Sequence, residues 1–99
     1  MDYGLYFLDE VKSDIREAKD LYKTQKPGLE KRFAQEIKKS ILKLQNHPKS
    51  YEIRYKNIRS VFTEVFPYAI HFFIDDKLKQ VVIIAILHQS RNQNINQDR

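Results

Sequence analysis

The sequence predicts a two-layer α+β fold, with a helical hairpin packed on one mainly antiparallel sheet. Three observations lead there. Residues 9–45 carry two apolar stripes with the period of a helix. From Pro48 onward the apolar period falls to two, as in strands. A short apolar run, Leu5-Tyr6-Phe7-Leu8, precedes the first helix. The order β-α-α-β-β-β(-β) satisfies every apolar stripe when the hairpin covers a single sheet.

Each element has its own justification. The aromatic and apolar run at 5–8 suits a buried strand. Asp9 reads as the N-cap of the first helix, its carboxylate accepting from a first-turn N–H. Glu10 and Asp14 stand near the positive end of the helix dipole. Val11, Ile15, Ala18 and Tyr22 then form one face. Lys26-Pro27-Gly28 breaks the pattern, because Pro27 disfavours helical backbone at Lys26 and Gly28 frees the turn. A second helix runs from about 29 to 45 on the stripe Leu29, Phe33, Ile37, Ile41 and Leu44. Asn46-His47-Pro48 stops it, with Asn46 suited to a left-handed C-cap. The pair reads as an αα-hairpin.

In the second half, Tyr51, Ile53 and Tyr55 alternate with Glu52 and Arg54. Lys56-Asn57 reads as a turn, and a strand rich in Val, Phe and Thr runs over 58–66 until Pro67 interrupts it. Extended character resumes over 68–74, and Asp75-Asp76-Lys77 makes the next turn. The last strand, 79–88, contains Val81-Val82-Ile83-Ile84-Ala85-Ile86-Leu87, apolar on both faces and so central in the sheet.

Composition narrows the function. The 99 residues fit one domain, placed at 1–91 and followed by a polar, mobile tail at 92–99. No cysteine is present, which excludes disulfides, thiolate zinc sites and cysteine nucleophiles. Two glycines are too few for a Gly-rich phosphate loop. The longest apolar run falls well short of the ~20 residues of a spanning helix, so a cytoplasmic protein without membrane contact is expected. The net charge of +5 is uneven: residues 1–22 sum to −3, residues 23–59 to +8 and residues 60–99 to 0. A basic middle third points to an anionic partner, either nucleic acid or an acidic protein segment.

His47, His71 and His88 are too dispersed for a zinc site, so neither metal nor cofactor is expected. Ser50, Ser60 and Ser90 lack a nucleophile-elbow context. What remains is a set suited to anions. Arg54, Lys56 and Arg59 surround the first late turn, and His88 and Arg91 close the last strand. Guanidinium groups clamp phosphate through paired N–H bonds, and an imidazole moves protons near neutral pH. Arg59, His88 and Arg91 are the candidate catalytic residues, with Arg54, Lys56 and Tyr68 as candidates for phosphate or target binding. The strand aromatics read more simply as core than as base-stacking platforms.

These features together resemble the RelE/ParE superfamily of bacterial type II toxins, of the plasmid-stabilisation type. The resemblance spans about 3–92. It rests on Val11-x-x-Asp14-Ile15-x-x-Ala18, Tyr22, Gly28-Leu29 and Phe33, then Pro48, Arg59, Phe66-Pro67-Tyr68-Ala69-Ile70 and the closing Leu87-His88-Gln89-Ser90-Arg91. It implies a growth-inhibiting toxin neutralised by a cognate antitoxin. It also implies a target: DNA gyrase for ParE-like members, or the ribosome and its mRNA for RelE-like nucleases. RelE-like members carry an Arg where this chain has Ala69, and often a C-terminal Tyr, which residues 92–99 lack. Those departures favour the non-nucleolytic, ParE-like reading. A metal-free mRNA endonuclease, or a toxin fold reduced to a binding module, are the alternatives. The antitoxin is expected on the cations of the second helix, Lys31, Arg32, Lys38, Lys39 and Lys43.

Overall fold

The computed structural model describes residues 3–90. Strand β1 (Gly4–Phe7) leads into helices α1 (Asp9–Gln25) and α2 (Leu29–Asn46). A short 3-10 turn at Pro48–Ser50 follows, and then β2 (Ile53–Tyr55), β3 (Ile58–Phe62), β4 (Tyr68–Asp75) and β5 (Gln80–His88). The five strands form one sheet in the order β1-β5-β4-β3-β2. Every neighbouring pair is antiparallel except β1 with β5, which is parallel. The predicted two-layer α+β architecture is therefore the one observed.

The helices follow their apolar stripes. Val11, Ala18 and Tyr22 of α1, with Phe33, Ile37, Ile41 and Leu44 of α2, are buried against Tyr68, Ile70, Phe72, Val81, Ile83 and Ile86 of the sheet. Gly28 takes φ +99°, the left-handed backbone that the hairpin turn requires. The caps differ from expectation. Asp9 is the first helical residue, and Leu8 is the N-cap without a side-chain bond. Asp9 and Glu10 act instead through the helix dipole. At the end of α2 the cap is His47 in non-left-handed backbone, with Asn46 still helical.

Strand β1 is not buried. It lies at the sheet edge, with Tyr6 54% exposed, and its parallel ladder with β5 covers only Gly4 to Phe7. Strand β5 is central and buried from Val81 to Leu87, as its double-sided apolar run predicts. Its register against β4 slips by one residue: His71 faces Ala85 but Phe72 faces Ile83, so Ile84 is an extra residue. The bulge changes which side chains meet the helices. Val81, Ile83 and Ile86 join the helix-side core, while Val82, Ile84, Ala85 and Leu87 form a second cluster with Leu8, Ile58 and Phe73. Strand β3 ends at Phe62, four residues before its predicted limit. Thr63 begins a tight reversal there, its N–H donating to the Tyr68 carbonyl at 2.9 Å.

An aromatic knot joins the layers. The Tyr22 and Phe66 rings are 4.8 Å apart, and Phe33 and Tyr68 are 5.0 Å apart. Burial raises the Tyr22 pKa above its ordinary 10.0, and a hydrogen bond with the Tyr68 side chain opposes this more weakly. The unfolded chain therefore ionises Tyr22 at lower pH than the folded chain. The resulting stability is complete below about pH 10 and is lost as pH rises through the folded value. Urea titrations across that range should show the decline in the native chain and a shallower one in Tyr22→Phe. An equal decline in both would assign the loss to other groups.

Candidate functional site

Alternation along β3 decides the fate of Arg59. Ile58 packs into the cluster away from the helices, whereas Val61 packs into the helix-side core. Arg59 shares Val61's face. Its Nη1 donates to the Tyr51 carbonyl at 2.6 Å and the Lys49 carbonyl at 3.3 Å. The guanidinium thus straps the segment after α2 to the sheet, satisfying two carbonyls that no ladder serves.

His88 lies elsewhere. It faces Tyr68 across the β4–β5 ladder, whereas Arg59 faces Phe72. Four residues of strand separate those points, about 13 Å along β4, and Arg59 and His88 lie on strands at opposite sides of it. The structure does not bring the two together. Arg91 lies outside the described residues, as does the predicted tail at 92–99.

The His88 ring has a defined setting. The Ser90 N–H donates to Nδ1 at 3.2 Å, and the Ser90 Oγ is 3.0 Å from the same nitrogen. A neutral ring accepting there keeps its proton on Nε2. The Tyr68 ring stands edge-on at 5.5 Å. Both side chains line a cleft of about 130 Å³ beside α1, shared with Asp14, Glu17 and Leu21. Tyr68 itself is buried and packs in the aromatic knot, so its place is structural before anything else.

The Arg54 and Lys56 candidates sit together on the β2–β3 hairpin. The Arg54 guanidinium lies 5.4 Å from the Phe62 ring centroid, and the Lys56 ammonium 5.3 Å from that of Tyr55. Both rings are 42% exposed. Lys56 adopts φ +53° at the turn, a conformation that side-chain-bearing residues seldom take. These two aromatics are therefore surface groups rather than core, while Phe66, Tyr68 and Phe72 are core.

The five α2 cations, Lys31, Arg32, Lys38, Lys39 and Lys43, are all exposed. None forms an ion pair within 4.0 Å among the described residues. Lys39 and Lys43 border a groove against Tyr51, Val61 and Phe62, with Glu36 and Glu64 on its walls.

Two groups escaped the sequence reading. His71 and Ser60 face each other across β3–β4, and His71 Nδ1 is 2.8 Å from the Ser60 Oγ, with both residues buried. Their matching register is the only sequence signal, and it appears only once the strands are aligned. The other is Asp14. Beyond Phe7 strand β1 leaves β5, and the Asp14 carboxylate of α1 takes its place, accepting the Ile86 N–H at 3.0 Å. No group of three or more His, Cys, Asp or Glu side chains among the described residues is arranged to hold a metal. No helix among them is long and apolar enough to cross a membrane.

Comparison with known proteins agrees with the fold. The family model described as the ParE toxin of the type II toxin–antitoxin system parDE matches residues 5–93. No curated protein sequence matches the chain. A chain of the chromosomal ParDE system from P. aeruginosa superposes with a TM-score of 0.76 at 19% identity, covering 87% of this chain and 95% of that one. An E. coli RelE mutant in complex with an antitoxin RelBc peptide gives 0.65 at 14% identity, covering 100% and 99%. Isolated E. coli RelE gives 0.63 at 14% identity, covering 96% and 97%.

Proposed function

This chain belongs to the ParE toxin family of type II toxin–antitoxin systems, and from that premise we propose that it arrests growth by a non-nucleolytic, gyrase-directed mechanism until a cognate antitoxin binds it. The observation that supports this reading is the separation of two nucleolytic candidates, Arg59 and His88. Metal-free RNA cleavage needs a phosphate clamp and a proton-transfer group around one reacting phosphate. Here Arg59 is held by the Lys49 and Tyr51 carbonyls, and His88 opens into a different cleft. Ala69, where RelE-like members carry an Arg, is fully buried and supplies no charge.

The antitoxin segment fits the groove between α2 and β3. Lys39 and Lys43 there offer charge to acidic side chains, beside the groove's own Glu36 and Glu64, and Tyr51 and Val61 offer apolar contact.

Induced expression without antitoxin should arrest growth. Purified protein should inhibit supercoiling by gyrase, and primer extension on cellular mRNA should show no new ends. Cuts on translated messages would establish the ribosome-dependent endonuclease instead. Normal growth with a soluble, folded product would leave only a binding module. Arg59→Ala separates the roles further. It should lower unfolding stability by about 1–3 kcal/mol through the two freed carbonyls, while its folded fraction keeps full toxicity. Loss of toxicity at unchanged stability would instead give Arg59 a direct role at the target.

A further inference from the structure

We infer that the exposed face of α2 docks in the major groove of duplex DNA. The inference comes from the order of side chains around the helix. At 100° per residue the exposed residues fall within an arc of about 140°. Across that arc come Lys38 and Lys31, then Leu42, Gln35 and Asn46, then Lys39, Arg32 and Lys43. Cations occupy both flanks, and two amides with one exposed leucine form the crest. Neither carboxylate of α2 lies within the arc; Glu36 stands just outside it, on the wall toward β3.

That order matches duplex DNA better than an acidic protein. The major groove is about 12 Å wide, admits one helix, and has phosphates along both rims. Lysine and arginine on the two flanks meet those rims, and the span from Lys31 to Lys43 covers about 18 Å of helix. Gln35 and Asn46 present the side-chain amides that pair with base edges, and Leu42, 51% exposed, offers a methyl surface. Protein interfaces instead deplete lysine and concentrate aromatics at their centre. This strip has five cations and no aromatic residue. The lack of aromatics also argues against single strands, whose bases bind by stacking. The surface aromatics Tyr55 and Phe62 lie on the β2–β3 hairpin.

The test uses the full chain and a fluorescent 20-base-pair DNA duplex, followed by anisotropy over a salt series. Each neutralised phosphate contributes about 0.9 to the slope of log affinity against log salt. The native chain should show a slope of about −4, and the triple variant Lys31→Gln, Lys38→Gln, Lys39→Gln about −1.5 with affinity at least tenfold lower. The α1 variant Lys12→Gln, Lys19→Gln should bind as the native chain does, with circular dichroism confirming that both variants fold. Four results would overturn the inference: no binding at low salt, a triple variant with native slope, equal binding to duplex RNA with its narrow major groove, or tighter binding to the single strand. A fifth would do so too: direct binding of polyglutamate as tight as that of the duplex at matched charge and salt, which would assign the strip to an acidic protein partner.

Discussion

Phe33→Ala should lower unfolding stability by about 3–5 kcal/mol, the largest loss expected of any single truncation here. Phe33 is fully buried and is a hub of the aromatic knot. Its ring lies 5.4 Å from Tyr22, 5.4 Å from Phe66 and 5.0 Å from Tyr68. Truncation removes the transfer energy of the ring and leaves a void flanked by both helices and β4. The neighbours cannot close it without breaking the edge-on geometry that they keep with one another. A domain of this size is stable by about 5–15 kcal/mol, so the variant would sit near the folding threshold. Thermal unfolding should report a midpoint at least ~12 °C lower. A shift of only a few degrees would mean that α2 settles onto the sheet and fills the space. Phe33→Leu should recover most of the loss, because it restores volume without the ring contacts.

Asp14→Ala should cost about 1.5–3 kcal/mol, and Asp14→Asn clearly less. The carboxylate is buried in a helix yet serves a strand, accepting the Ile86 N–H where β1 no longer runs beside β5. Alanine leaves a buried donor without its acceptor, whereas asparagine keeps a carbonyl oxygen in place. Equal losses in the two variants would show that the charge matters rather than the acceptor. Hydrogen exchange gives a local check. The Ile86 amide should lose protection in the alanine variant while amides of α2 keep theirs under native conditions. Unchanged exchange at Ile86 would show that another acceptor takes over.

The helices were legible because a 3.6-residue stripe is a local signal carried by many residues. Leu29, Phe33, Ile37, Ile41 and Leu44 identify their buried face without reference to anything distant. Strand β5 was legible for a related reason, since seven consecutive apolar residues need cover on both faces. The same run concealed the bulge at Ile84, because a one-residue slip within a uniformly apolar segment leaves no mark on the pattern. The edge position of β1 was hidden too. Four apolar residues look buried, and only the ladder with β5 reveals that Tyr6 faces outward.

The candidate site was less legible than the fold. Arg54 and Lys56 were found together, because a hairpin keeps sequence neighbours close. The bonds of Arg59 to the Lys49 and Tyr51 carbonyls depend on strand phase, which the sequence does not reveal: one position along β3 determines whether a side chain meets the helix-side core or the opposite face. His88 and Arg59 seemed related only because both lie near strand ends in the sequence. Asp14 shows a different limit. Its position near the start of α1 accounts for a dipole interaction, but its bond to Ile86 joins residues 72 apart.

The parallel pairing of β1 with β5 also sets the order of events during synthesis. Gly4 to Phe7 find their partners at Gln80 to Ile83, so the first strand made must wait for the last. The α1–α2 hairpin can form early from local contacts, but closure of the sheet spans almost the whole described chain. A nascent polypeptide therefore lacks its finished edge while the ribosome is still translating the preceding strands. A chain interrupted before β5 leaves β1 with no ladder to join. A product ending before β5 thus lacks the ladder partner of both β1 and β4, and should be open to proteolysis.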